Sequence, residues 1–217
     1  GSNTGLDPTN ITQLSSGNID LKENNDIPRL SEELAVDLAA GRLGLFRNIR
    51  EGKFEDVSSL LGDLSGPVAR TDEGGVGNIW GAGFQPAWID FDNDGDLDLY
   101  VVNDMGKILQ PNVLWRNDGV GESSYWQFSD ISVGSGADVA IDGMGLAVGD
   151  YDLDGHLDIY VTNIGDGVLL RNNGDGYSFI DKATEVGVGM GKDGPQSRVT
   201  WGAMFFDHDN DGDEDLY

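Results

Sequence analysis

The chain has 217 residues, no cysteine and a formal net charge of −26. That balance argues against a phosphate-binding face and so against a nucleic-acid partner, and the missing cysteines exclude disulfide frameworks, thiolate zinc sites and cysteine nucleophiles. Hydrophobic residues at 38%, with 33 glycines and five tryptophans, fit a turn-rich globular β protein rather than a disordered one, and no apolar run reaches the ~18 residues of a membrane-inserted helix.

Residues 1–26 are polar, rich in Asn, Thr, Ser and Gly, and read as a disordered leader. Residues 27–79 read as a degenerate repeat. The stretch from Ser31 to Ala40 carries a Ser cap, early acids and helical apolar spacing, which predict a short helix. Gly44–Asn48 and Gly52–Val57 match the turn and the second strand of the later repeats, and residues 62–78 read as a polar insertion.

Residues 80–140 form a fuller unit, residues 141–198 repeat it, and residues 199–217 begin a third copy. In each, an apolar strand (Met144–Gly149 and Trp201–Phe206 in the later copies) runs into the pattern D-x-D-x-D-G-x-x-D. The pattern places Asp90, Asp92, Asp94, Asp96 and Asp98 in the first copy. It places Asp150, Asp152, Asp154, His156 and Asp158 in the second, and Asp207, Asp209, Asp211, Asp213 and Asp215 in the third. An alternating apolar run follows (Leu97, Leu99, Val101; Leu157, Ile159, Val161), then a turn of the form Leu-x-Arg-Asn-x-Gly at Leu114 and Leu169. A further strand follows at Trp126–Ile131 and Tyr177–Asp181. Repeats of roughly 40–60 residues with several short strands predict an all-β fold of β-propeller blades. A closed ring needs about four to eight blades; the three to four here form an incomplete ring, so the chain is expected to continue into further blades.

The aspartate pattern predicts a bound divalent cation, because carboxylates packed this densely repel one another otherwise. Calcium takes six to eight oxygen ligands at about 2.3–2.6 Å, whereas magnesium demands strict octahedral geometry and retains its waters. Side chains at positions 1, 3, 5 and 9 converge on the ion, the glycine at position 6 permits the turn, and Asp96, His156 and Asp213 at position 7 offer a backbone carbonyl. About three calcium ions are expected, one per pattern. An EF-hand is excluded because its position-12 acid is replaced by Val101 and Val161, both in strand patterns.

These motifs together resemble FG-GAP/VCBS repeats, closest to the bacterial proteins similar to cartilage acidic protein that often carry an ASPIC/UnbV domain after the propeller. The resemblance covers about residues 80–217, with a faint echo at 42–62. It implies an integrin-α-like propeller, calcium held by the aspartates at positions 1, 3, 5 and 9, and a secreted, periplasmic or cell-surface location.

The expected function is a calcium-stabilised module for adhesion to, or interaction with, a protein or glycan. The alternative is the propeller of a polysaccharide lyase or glycoside hydrolase, in which paired carboxylates act as acid and base. The aspartates are already committed to metal, and His156 and His208 read as exposed loop residues rather than bases, so no catalytic residue is assigned. Trp88, Trp115, Trp126 and Trp201 occupy repeat-equivalent strand positions and are expected to pack in the core rather than stack on sugar.

Overall fold

The computed structural model describes residues 43–61, 81–107, 109–121, 126–189 and 199–217. The expected leader, the 31–40 helix and the 62–78 insertion lie outside them. Two four-stranded antiparallel meanders dominate. The first runs β3 (Ala82–Ile89), β4 (Asp98–Asp104), β5 (Val113–Val120) and β6 (Trp126–Asp130). The second runs β7 (Gly143–Gly149), β8 (Asp158–Asn163), β9 (Val168–Asn172) and β10 (Phe179–Asp181). Two-stranded sheets flank them: β1 (Phe46–Asn48) with β2 (Phe54–Asp56), and β11 (Phe205–Phe206) with β12 (Asp215–Leu216). These are propeller-type blades; among the described residues their sheets do not close into a ring.

Both faces of β4 and β8 are buried. Tyr100 and Val102 join Ile89, Phe91 and Leu114 against Leu146, Ile159, Val161 and Leu170 of the second meander. Leu99 and Val101 turn the other way, onto Val113, Trp115 and Leu61 from the 3-10 turn after β2. On the far side of the second meander, Ala147, Tyr160 and Leu169 pack on Phe205 and Leu216. The period-two pattern therefore assigns residues to two different inter-sheet cores. Each side chain such as Leu114 or Ile159, fully buried, contributes about 1.5–3 kcal/mol relative to exposure.

Polar groups hold the sheets in register. The Gln85 side chain, beside a bulge in β3, donates to the Leu146 carbonyl at 3.3 Å and accepts from the Leu146 amide at 3.1 Å. It supplies across the gap what a strand backbone supplies within a sheet. Of the segment expected to lead into β11 as strand, Met204 exchanges both backbone bonds with Tyr217, in line with the β11–β12 pairing, at 3.1 and 3.0 Å, but Thr200 and Trp201 bond elsewhere. The Thr200 amide donates to the Asn163 carbonyl at 3.2 Å, and the Thr162 hydroxyl donates to the Trp201 carbonyl at 2.9 Å. The preceding blade thus takes up the backbone there.

The tryptophan expectation is corrected. Trp115, on central strand β5, is 4% exposed, but Trp88, Trp126 and Trp201 are 47%, 42% and 61% exposed. Trp88 lies on edge strand β3 and rests on Phe128 with ring centroids 6.3 Å apart; Trp201 rests on Phe84 at 6.2 Å. Trp126 opens the other edge strand, β6. Repeat-equivalent placement did not distinguish a central strand from an edge.

Tyr100 donates its hydroxyl proton to the Ala137 carbonyl at 3.1 Å and accepts from Asn112 Nδ2 at 3.1 Å, with all three residues buried. Tyr100→Phe leaves an Asn112 Nδ2 proton without its acceptor, while the Ala137 carbonyl keeps the Val139 amide at 2.9 Å, and is expected to cost about 1–3 kcal/mol of unfolding free energy, read from the midpoint of a urea melt.

Candidate metal centres

Each aspartate pattern is the connection between the first and second strands of its sheet: β3 to β4, β7 to β8, and β11 to β12. The loops are built alike. Gly95, Gly155 and Gly212 at position 6 have φ of 95°, 88° and 99°, where a Cβ is strained. Position 4 is also left-handed, at Asn93 (59°), Leu153 (56°) and Asn210 (61°). The position-1 carboxylate accepts the position-6 amide: Asp90 from Gly95 at 3.2 Å, Asp150 from Gly155 at 2.9 Å, Asp207 from Gly212 at 3.0 Å. Position 5 accepts the position-7 amide through Oδ1, at 2.8 Å for Asp94, 3.0 Å for Asp154 and 3.2 Å for Asp211.

Position 9 anchors each loop. Asp98, without exposed surface, accepts the Phe91 amide at 3.1 Å and the Asn117 amide of β5 at 2.7 Å. Asp158, equally buried, accepts Tyr151 at 3.2 Å and Asn172 at 2.8 Å. Burial pushes the Asp98 carboxyl up to about 7 and the Asp158 carboxyl to about 6, against the lowering effect of those amides. Asp215 accepts the His208 amide at 3.0 Å and also contacts the His208 ring.

The loops bring carboxylates together. Oxygens of Asp90, Asp92 and Asp94 lie within 4.8 Å of one another, as do those of Asp150, Asp152 and Asp158, and of Asp207, Asp209 and Asp211. His208 with Asp209 and Asp215 makes an overlapping group. Asp96, His156 and Asp213 stand at position 7 outside these groups, and Asp98 and Asp154 are likewise outside them. Both histidines lie in the loops, His208 exposed and His156 half-buried.

The donor set fits a hard cation. Asp90 Oδ1 is buried and has no hydrogen-bond partner. An uncompensated carboxylate oxygen is costly, and a divalent ion among all-oxygen donors is the kind of partner that satisfies it.

Neighbouring loops touch. Asn93 Nδ2 reaches the Gly155 carbonyl at 3.2 Å and lies 3.0 Å from His156 Nδ1. Asn172 Nδ2 donates to the Phe91 carbonyl at 2.7 Å, and Glu214 Oε2 accepts the Asp150 amide at 2.9 Å. Asn117, Asn172, Glu214 and Arg171 were not singled out as site residues from the sequence. The Arg-Asn turn was visible as a turn, and its repetition after each aspartate pattern was the signal for a second role.

A protein-family description, FG-GAP-like repeat, matches residues 90–161 and again 150–217, more than half of the chain. No curated protein matches it.

Two substitutions test the loop geometry. Asp98→Asn puts an amide group where a backbone N–H expects an acceptor, and is expected to cost about 1–3 kcal/mol by chemical denaturation even in chelator. Leu153→Asn relieves the only large apolar side chain among the three left-handed position-4 residues; it is expected to stabilise by roughly 0.5–1 kcal/mol in the same measurement.

Proposed function

The chain belongs to the FG-GAP-like repeat family, and from that premise we propose that it is an extracytoplasmic, calcium-binding propeller module whose loops are stiffened by the ion and whose surface engages a protein or glycan. The observation that carries the calcium assignment is the recurrence of clustered carboxylates at equivalent loops, one cluster containing the orphaned buried oxygen of Asp90. Asp90, Asp92 and Asp94 with Asp98 behind them would hold the first ion. Asp150, Asp152, Asp154 and Asp158 would hold the second, and Asp207, Asp209, Asp211 and Asp215 the third. Carbonyls of Asp96, His156 and Asp213 supplement them. The ion supplies charge neutralisation and a fixed set of oxygen bonds.

The chain's own residues do the rest. Asp98 and Asp158 tie each loop to the sheet, the position-6 glycines turn it, and Asn93 and Asn172 join one loop to the next. The narrower kinship, to bacterial proteins similar to cartilage acidic protein, is part of this reading and rests on the Leu-Asp-Ile-Tyr-Val-Thr-Asn and Leu-Arg-Asn-Asn-Gly-Asp-Gly runs around Asp158 and Asn172. So does the secreted or cell-surface location. No catalytic step is assigned, since the closest carboxylates are those committed to the ion. The exposed aromatic pair Phe84 and Trp201 supports an interaction surface that engages a glycan or protein.

Chelator-treated protein is expected to regain about three calcium ions per chain by isothermal titration. Its melting point is expected to rise with calcium, reflecting about 2.7 kcal/mol for each site at a hundredfold excess over its Kd. A melt indifferent to calcium and chelator would overturn the assignment. Retention on a glycan or protein array in calcium, lost in chelator, tests the interaction half.

A further inference from the structure

The three loops share one pattern but not one set of free oxygens. At position 5, Oδ1 accepts the position-7 amide in all three. Oδ2 is therefore the oxygen that the loop backbone leaves freer to meet an ion. In the second loop it is taken. Arg171 of β9 places Nη2 2.6 Å from Asp154 Oδ2 and Nε 2.6 Å from Asp152 Oδ2, a two-pronged grip on positions 3 and 5. The carboxylate grouping registers the difference: positions 1, 3 and 5 cluster in the first and third loops, whereas in the second Asp154 drops out and Asp158 takes its place.

One residue accounts for it. The matching Arg116 of β5 turns to Asp118, two residues on, at 2.8 Å, and Ser129 also binds Asp118. In the second blade that place is Asn173, whose amide is directed to the Ser178 hydroxyl at 2.9 Å. A neutral neighbour offers the guanidinium no carboxylate, so its planar fork goes to the loop carboxylates, whose geometry it matches.

The geometry points to Arg171 as a resident cation in the second loop, making that loop the weak calcium site of the three, filled only when the ion displaces the guanidinium. This rests on the calcium reading above. The ion must break two charge-assisted bonds and enter a loop whose net negative charge the guanidinium lowers by one, in addition to the acid that His156 replaces at position 7. Because the pair is partly exposed, we expect an affinity about tenfold below that of the other loops.

Calcium titration by competition with a chromophoric chelator separates the outcomes. The wild type is expected to show two tight ions and one about tenfold weaker. Arg171→Gln, and independently Asn173→Asp, which keeps the arginine but offers it the partner Arg116 has, bring the third ion into the tight class. Asp118→Asn frees Arg116 and creates a second weak ion. Lys182→Gln, which removes a unit charge elsewhere on the same blade, leaves the weak ion unchanged. Three equal sites in the wild type, or a weak site that persists in both Arg171→Gln and Asn173→Asp, overturns the role of Arg171. Absence of calcium binding in every variant overturns the underlying reading instead.

Discussion

Asp98 and Asp158 lie without exposed surface at the start of the second strand of their blades, and each accepts two backbone amides, one from its own loop and one from the third strand. A buried carboxylate is tolerated only when its oxygens are occupied. Here the occupation closes the loop, pins the third strand and points the remaining aspartates outward in a group. Sheet and loop are thus one structure. The carboxylate that anchors the strands also sets where the other carboxylates meet.

The same economy governs the packing. Among the described residues, β4 and β8 are buried on both faces; Tyr100 and Val102 serve one neighbour while Leu99 and Val101 serve the other. A four-stranded sheet of this length cannot bury enough apolar surface alone. Stability is shared between adjacent sheets, and polar links such as Gln85 to Leu146 set their mutual height. The acidic loops add repulsion at one end of this stack, which Arg171 offsets in the second loop and which a bound ion would offset in all three.

Much of this was legible in the sequence because the repeat is dense in constrained residues. The glycines at 95, 155 and 212, the aspartates around them and the apolar runs after them marked the loops and the strands β4 and β8. What stayed hidden depended on partners distant in sequence. Asn172 reads as a turn residue, yet its side chain serves a carbonyl of the previous blade. Arg171 and Arg116 share the Leu-x-Arg-Asn-x-Gly frame but differ at the position two residues on, Asn173 against Asp118, and only the structure shows the two guanidinium groups turned to different carboxylates. Trp88 and Trp115 carry the same strand signal, but one lies on an edge and the other in the middle of a sheet, which periodicity does not encode.

The bond from Asn172 to the Phe91 carbonyl has a bearing on how such arrays lengthen. It crosses from the third strand of one sheet to the aspartate loop of the one before, as the Asp150–Glu214 contact crosses between the next two loops. A unit copied or excised at the connection between β6 and β7 carries away one half of each seam and leaves the other without its match. A transplanted blade keeps its seams only if the incoming loop offers a carbonyl where Phe91 does and the incoming third strand an amide side chain where Asn172 does. The unit that keeps both seams intact is therefore a sheet together with the seam-forming groups of its neighbours.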